Sequence, residues 1–285
     1  MDEKLRQSEL QRQQFIDECL GYDIPRIEAE TYPEEARLES DIFYKEGLTL
    51  DIYSPDKDDK KDEIFLLIHG GAFVYGNKEN DKCFGMHLAV CSGISVANIN
   101  YRLMPDTDLK GQLEDIFAAI AFLHNKGIKV FHTVGDSAGG YLALITAILI
   151  NSPEARAVAG IKSVPDIKAA SAGLICSMYK TPDDGFPGIY FENYSSMPSF
   201  IYDLSEAVKA YGAPSSVIVT GEEDFLRKDN NELGEMLSLQ GIEVKFYDAA
   251  SSGERHMYHV YPISCPTWPE GKHVIKLISD NANGK

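Results

Sequence analysis

The chain has 285 residues, 44% of them hydrophobic and 25% charged, proportions ordinary for a soluble globular protein and sufficient to bury one large core. A net charge of −17 leaves no basic stripe to neutralise phosphates, which excludes nucleic-acid binding and disfavours polyanionic substrates. The longest apolar run, Tyr141–Ile150, falls well short of the ~18 residues a membrane span needs, so no membrane insertion is expected.

The polar start "MDEKLRQSELQRQQF" has no apolar core of a secretory signal, which predicts a cytoplasmic protein. Residues 1–37 read as an N-terminal helical extension. Within it, 2–20 carries a thin apolar stripe (Leu5, Phe15, Ile16, Cys19, Leu20) expected to pack loosely on the body. "SDIFYKEGLTLDIYSP", Ser40–Pro55, predicts a hairpin around Glu46-Gly47, its second strand alternating through Leu48, Leu50 and Ile52. The charged stretch 56–63 reads as a solvated loop. Beyond it the pattern changes to a continuous apolar run at 64–68, as expected of a strand buried on both faces, followed by strand segments at 94–101, 130–134, 172–179, 216–220 and 243–247. Helix-like segments alternate with them at Gly111–His124, Ala138–Asn151, Ser205–Tyr211 and Asn231–Gln240. This order predicts a single α/β domain over 1–285, with a mostly parallel central sheet, helices on both faces and an antiparallel hairpin at one edge. Residues 180–204, rich in Phe, Tyr, Pro and Gly, are too long for a plain connection and suggest a lid.

Five cysteines (Cys19, Cys83, Cys91, Cys176, Cys265) are scattered without CxxC spacing, which predicts unpaired thiols and neither a disulfide framework nor a zinc site. The chemistry-bearing stretch is "VFHTVGDSAGG", Val130–Gly140. It places Ser137 in G-x-S-x-G between a strand and a helix, the setting of a nucleophile turn with its hydroxyl outward. A hydroxyl needs a base, a group to hold that base, and donors for the oxyanion that forms when a carbonyl is attacked. Small residues in "HGGA", His69–Ala72, and Ala138 after the serine offer backbone N–H donors, from Gly70, Gly71 and Ala138. His69 itself reads as a brace for that loop. The acid is sought after strand 216–220, among Glu222, Glu223, Asp224 and Asp229. The base is sought after the last strand, at His256 or His259, in Ser…Asp…His order.

"HGGAF", "NYRLMPD" (100–106), "GDSAGG", "GEEDFL", "HVY" and "LDIYSP" together resemble the α/β-hydrolase superfamily, in its branch of hormone-sensitive-lipase-like carboxylesterases and acetyl esterases. Ala72 stands where glycine is common, and 180–204 matches no standard cap of that branch. The resemblance implies Asp224 as the acid, His259 as the base, and a serine ester hydrolase on small acetyl-like acyl groups that uses no cofactor and no metal. Phe73, Phe186, Tyr190, Phe191 and Tyr194 are expected to line the pocket. The same triad serves amides, so an aryl formamidase or small peptidase is the alternative. A non-catalytic ligand-binding homologue is disfavoured because all three roles are filled. The expected partner is a small-molecule ester, and a homodimer is compatible with the sequence.

Overall fold

Ile64–Ile68 is apolar at every position because both faces of its strand are covered. Leu66 and Ile68 belong to one core cluster, Phe65 and Leu67 to the other, and all four are fully buried. Such alternation within a wholly apolar run marks a central strand of a sheet with helices on both sides. Each such side chain contributes about 1.5–3 kcal/mol by leaving water.

A computed structural model describes residues 3–56, 62–182, 185–192 and 197–285, so most of the charged loop at 56–63, and Tyr194 of the expected lid, lie outside the described residues. In chain order the elements are α1 (Glu3–Ala29), β1 (Ala36–Lys45), β2 (Leu48–Pro55), β3 (Glu63–Ile68), α2 (Lys82–Ser92), β4 (Val96–Ile99) and α3 (Leu109–Asn125). Then come β5 (Val130–Asp136), α4 (Ala138–Asn151), α5 (Pro153–Ala159), β6 (Lys168–Ile175), α6 (Gly185–Glu192, bent at Phe186) and a short 3-10 turn, Ser199–Ile201. The chain ends with α7 (Leu204–Tyr211), β7 (Ser215–Gly221), α8 (Arg227–Leu239), β8 (Val244–Ala249), α9 (Tyr261–Ser264) and α10 (Pro269–Ala282).

The eight strands form one sheet in the order β1-β2-β4-β3-β5-β6-β7-β8. β1 and β2 pair antiparallel, β2 joins β4 antiparallel, and every other neighbour pair is parallel. This is the mixed, mostly parallel sheet the sequence implies. α3 and α4 pack into one core cluster, while α2, α9 and α10 supply the other. In the register of β3 with β5, Ile68 lies opposite Gly135. The strand ends that carry His69 and Asp136 are therefore neighbours at the carboxyl edge of the sheet, where open α/β sheets bind ligands.

Several helices depart from the sequence reading. α2, α5, α6, α9 and α10 are not among the expected elements: α5, α6 and α9 are short, α10 buries only a narrow stripe (Val274, Ile275, Ile278), and α2 carries Gly85 where it closes on the Tyr53 ring. α1 runs to Ala29, well past residue 20. Among the described residues no single helix is long and apolar enough to cross a membrane.

Candidate active site

Ser137 follows β5 directly and begins α4, with φ 49 and ψ −118, a conformation that L-residues rarely adopt. Its N–H donates to Ile175 O at 2.9 Å, and its carbonyl accepts from Met178 N–H at 3.1 Å, so the turn is tied to the end of β6. A Cβ on Gly139 would lie 2.0 Å from Ile68 O and 2.5 Å from His69 O. The glycine lets α4 start hard against β3, which leaves the serine at the tip of the turn.

Asp224 and His259 lie on the loops after β7 and β8. His259 Nδ1 and Asp224 Oδ1 are 2.8 Å apart, Leu226 N–H donates to the same oxygen at 2.9 Å, and Thr220 Oγ1 donates to Oδ2 at 2.7 Å. Burial pushes the Asp224 carboxyl up, but the hydrogen bonds from His259, Leu226 and Thr220 outweigh it and hold it below the usual range. His256 instead pairs with Glu223 at 2.8 Å on the exposed side, and Glu222 accepts from Ser251 N–H. The geometry thus brings Asp224 and His259 together and leaves the other acids and His256 apart.

The loop after β3 turns through Gly71 (φ 100), Ala72 (φ 51) and Phe73 (φ 66), three left-handed residues in succession. A Cβ on Gly71 would fall 2.3 Å from Tyr75 O. Gly70 does not meet the donor role expected of it: its N–H is committed to Asp136 Oδ1 at 2.8 Å. Among the described residues no acceptor takes the N–H of Gly71, Ala72 or Ala138, so the available donors are shifted one residue along the loop. His69 braces the turn. Its Nδ1 lies 2.9 Å from Gly70 O, its ring stacks on Tyr101 at 4.4 Å, and Tyr101 OH donates to His69 O at 2.7 Å. Burial lowers the imidazole to about 4, so it is neutral near pH 7. The "NYRLMPD" stretch therefore supports the loop, with Arg102 fastened to Asp115 of α3 at 2.7 and 2.8 Å.

Ser137, His259, Gly71 and Ala72 all face one cavity of about 710 Å3. Phe186 lines it as expected, together with Pro187. Phe73, Tyr190 and Phe191 do not. Phe73 is turned by its positive φ into the core, edge-on to Tyr141 and Phe191, and Tyr190 reaches away to Glu9 at 2.9 Å. The opposite wall comes from α1, through Phe15, Cys19, Tyr22 and Arg26, spaced as one helical face. Tyr22 OH and Tyr258 OH are 2.6 Å apart, and Arg26 spans Asp23 (3.0 Å) and Glu30 (2.6 Å) while donating to Asn80 O. The Tyr22–Tyr258 and Arg26–Asn80 contacts clamp α1 over the site rather than leaving it loosely packed.

A family model of the alpha/beta hydrolase fold matches residues 65–260, well over half the chain. The chain belongs to the α/β-hydrolase fold family. Among its curated relatives, an arylesterase of Saccharolobus solfataricus is 24% identical over 244 residues, covering 80% of this chain and 78% of that one. Carboxylesterase NlhH of Mycobacterium tuberculosis is 25% identical over 278 residues, covering 85% and 82%. Esterase B from Lactobacillus rhamnosis, solved with a tributyrin phosphonate inhibitor, superposes with a TM-score of 0.83 at 24% identity, covering 100% of this chain and 99% of its own; that likeness is one of fold.

Two further features of this α/β hydrolase have no local sequence signal. Asp81, at the start of α2, and Asp136 are both buried beside the donor loop. Burial raises Asp81 well above the usual carboxylate range, with the Asp136 charge adding to it. Burial also lifts Asp136 to about 6 against the pull of His259 and Gly70 N–H. The folded protein therefore binds more protons than the unfolded chain from about pH 4 upward through pH 6, and this pair's contribution to stability falls as pH rises through that window. Asp81→Asn keeps the shape and removes the second charge. Its melting temperature relative to the natural protein is expected to rise between about pH 5 and about pH 8. A difference that stays flat over that range would mean that both carboxylates are already ionised in the fold at about pH 5. The second feature is Cys176, fully buried at φ 47 just after β6, whose thiol joins Asp224 and His259 in one cluster with donor atoms all within 4.8 Å of one another.

Proposed function

We propose that the chain is a serine carboxylic ester hydrolase that forms an acyl-enzyme on Ser137. The observation that carries this reading is the meeting, on one cavity wall, of a serine at a strained strand-to-helix turn and an imidazole held by a buried carboxylate at 2.8 Å. Ser137 attacks the ester carbonyl as His259 takes its proton. Asp224 fixes the Nδ1–H tautomer and stabilises the imidazolium. The N–H groups of Gly71, Ala72 and Ala138 receive the oxyanion, each lowering the barrier by about 3 kcal/mol. His259 then protonates the leaving alcohol, and water repeats the sequence on the acyl-enzyme.

The curated relatives named as arylesterase and carboxylesterase support ester over amide chemistry. A small acyl group suits the branch the motifs resemble, and a cavity of about 710 Å3 has room beyond it for a bulky alcohol. The wall of Phe15, Met178, Pro182, Phe186 and Phe225 favours an apolar substrate. All five cysteines are unpaired, which supports a reducing, cytoplasmic setting.

The test is hydrolysis of p-nitrophenyl esters from acetate to decanoate, beside the Ser137→Ala protein and an aryl formamide. Turnover is expected on the shorter esters, declining with chain length and lost in the variant. Formamide turnover without ester turnover would replace the ester reading by the amide one.

A further inference from the structure

The thiol of Cys176 takes no part in acyl transfer, yet it stands against the two groups that do. Three strand ends deliver the cluster: Cys176 follows β6, Asp224 follows β7 and His259 follows β8. The Cys176 N–H donates to Val219 O at 2.7 Å, which fixes its backbone to β7. One sulfur, one carboxylate oxygen and one imidazole nitrogen then lie within 4.8 Å of one another. Cys176 and Asp224 are buried, and His259, with 20% of its side chain exposed, connects them to the cavity.

We propose that Cys176, Asp224 and His259 form a binding site for a thiophilic divalent cation, Zn2+ or Cd2+, and that its occupation switches the hydrolase off. The inference rests on the reading of His259 as the catalytic base. A mixed thiolate, imidazole and carboxylate set is the kind that selects zinc over the hard cations. Tetrahedral zinc, with bonds of about 2.0 Å to N and O and about 2.3 Å to S, places its donors roughly 3.3–3.6 Å apart. The 2.8 Å His259–Asp224 contact opens by about 0.5 Å to reach that span, and the sulfur already lies within 4.8 Å of both partners. The fourth position is left for water.

The proton balance explains the inhibition. The ion displaces the Cys176 thiol proton to solvent and occupies His259 Nδ1, so the proton of the neutral ring moves to Nε2. That nitrogen is the one required to accept the Ser137 proton. Asp224, now a metal ligand, no longer stabilises the imidazolium.

The experiment uses the full chain freed of metals by chelation and desalting. Added Co2+ is expected to give a sulfur-to-cobalt charge-transfer band with tetrahedral d–d bands, both absent from Cys176→Ser and Cys176→Ala. Added Zn2+ is expected to inhibit ester hydrolysis reversibly, with EDTA restoring activity. In Cys176→Ser the inhibition constant, measured against that variant's own activity, is expected to rise by roughly a hundredfold or more. His256→Ala, which removes the surface pair with Glu223, is expected to leave the inhibition constant unchanged. No thiolate band in the natural protein, or equal zinc sensitivity in Cys176→Ser, overturns the site. A thiolate band without inhibition overturns the switch and, with it, the assignment of His259 as base, while an active enzyme indifferent to both metals defeats the metal site alone.

Discussion

Ser137→Gly is expected to abolish ester turnover and, at the same time, to raise the unfolding temperature. Removing the nucleophile of a serine–histidine–aspartate unit costs roughly a millionfold in kcat, because the base and its orienter then have nothing to activate. The stability gain comes from the backbone. Ser137 sits at φ 49 and ψ −118, held there by Ile175 O on its N–H and by Met178 on its carbonyl, with α4 starting one residue later. A side chain in such a region costs about 1–3 kcal/mol, and glycine escapes the cost. Glycine gives back about 0.5–1 kcal/mol through its freer unfolded chain. A net gain of about 1 kcal/mol corresponds to roughly 2–4 °C in a domain of this size.

Ser137→Ala separates the two effects. It loses the hydroxyl but keeps a Cβ at the same angles, so its activity is expected to match the glycine variant and its melting temperature the natural protein. Parallel thermal melts of the three proteins decide the matter. Glycine and alanine variants melting together would mean the turn stores no strain, and the serine's exposure would then need another explanation.

The strands and the turn are readable because their cause is local. Ile64–Ile68 of β3 is covered on both faces and so apolar throughout, and the glycines of "GDSAGG" record the close approach of α4 to the end of β3. What stays hidden depends on which neighbour a residue meets. Gly70 is a reasonable donor by its place in "HGGA", yet the β3–β5 register sets it beside Asp136, whose carboxylate takes its N–H. Phe73 reads as a pocket residue after that loop, but a positive φ turns it toward Tyr141. The α1 face escapes a sequence reading because it looks onto a cavity. Phe15 and Cys19 read as part of an apolar stripe, but Tyr22, Asp23 and Arg26 are too polar to extend it, although they continue the same helical face. Cys176 has no signal at all, since its partners are brought to it only by the ends of β7 and β8.

Asp224 carries the second large effect, and the choice of replacement matters. Asp224→Ala removes the carboxylate that His259 faces and leaves Thr220, Leu226 N–H and the imidazole without their acceptor. A loss of about ten-thousandfold in kcat is expected. Asparagine is often as damaging as deletion in such a unit, because its amide nitrogen faces the imidazole and inverts the tautomer. Here the amide is not free to choose. Leu226 N–H and His259 Nδ1 converge on the same oxygen, Oδ1, while Oδ2 accepts from the Thr220 hydroxyl. An amide nitrogen at the Oδ1 position would set donor against donor at Leu226. The substituted amide is therefore expected to keep its oxygen there and turn its nitrogen to Thr220, whose hydroxyl rotates to accept. The Nδ1–H tautomer survives and only the charge that stabilises the imidazolium is lost. Asp224→Asn is thus expected to retain about tenfold or more of the activity that Asp224→Ala forfeits. Steady-state kinetics on the same short ester compare the two directly. Equal losses would show that the amide flips despite Leu226, and Leu226 N–H would then have no part in fixing the tautomer.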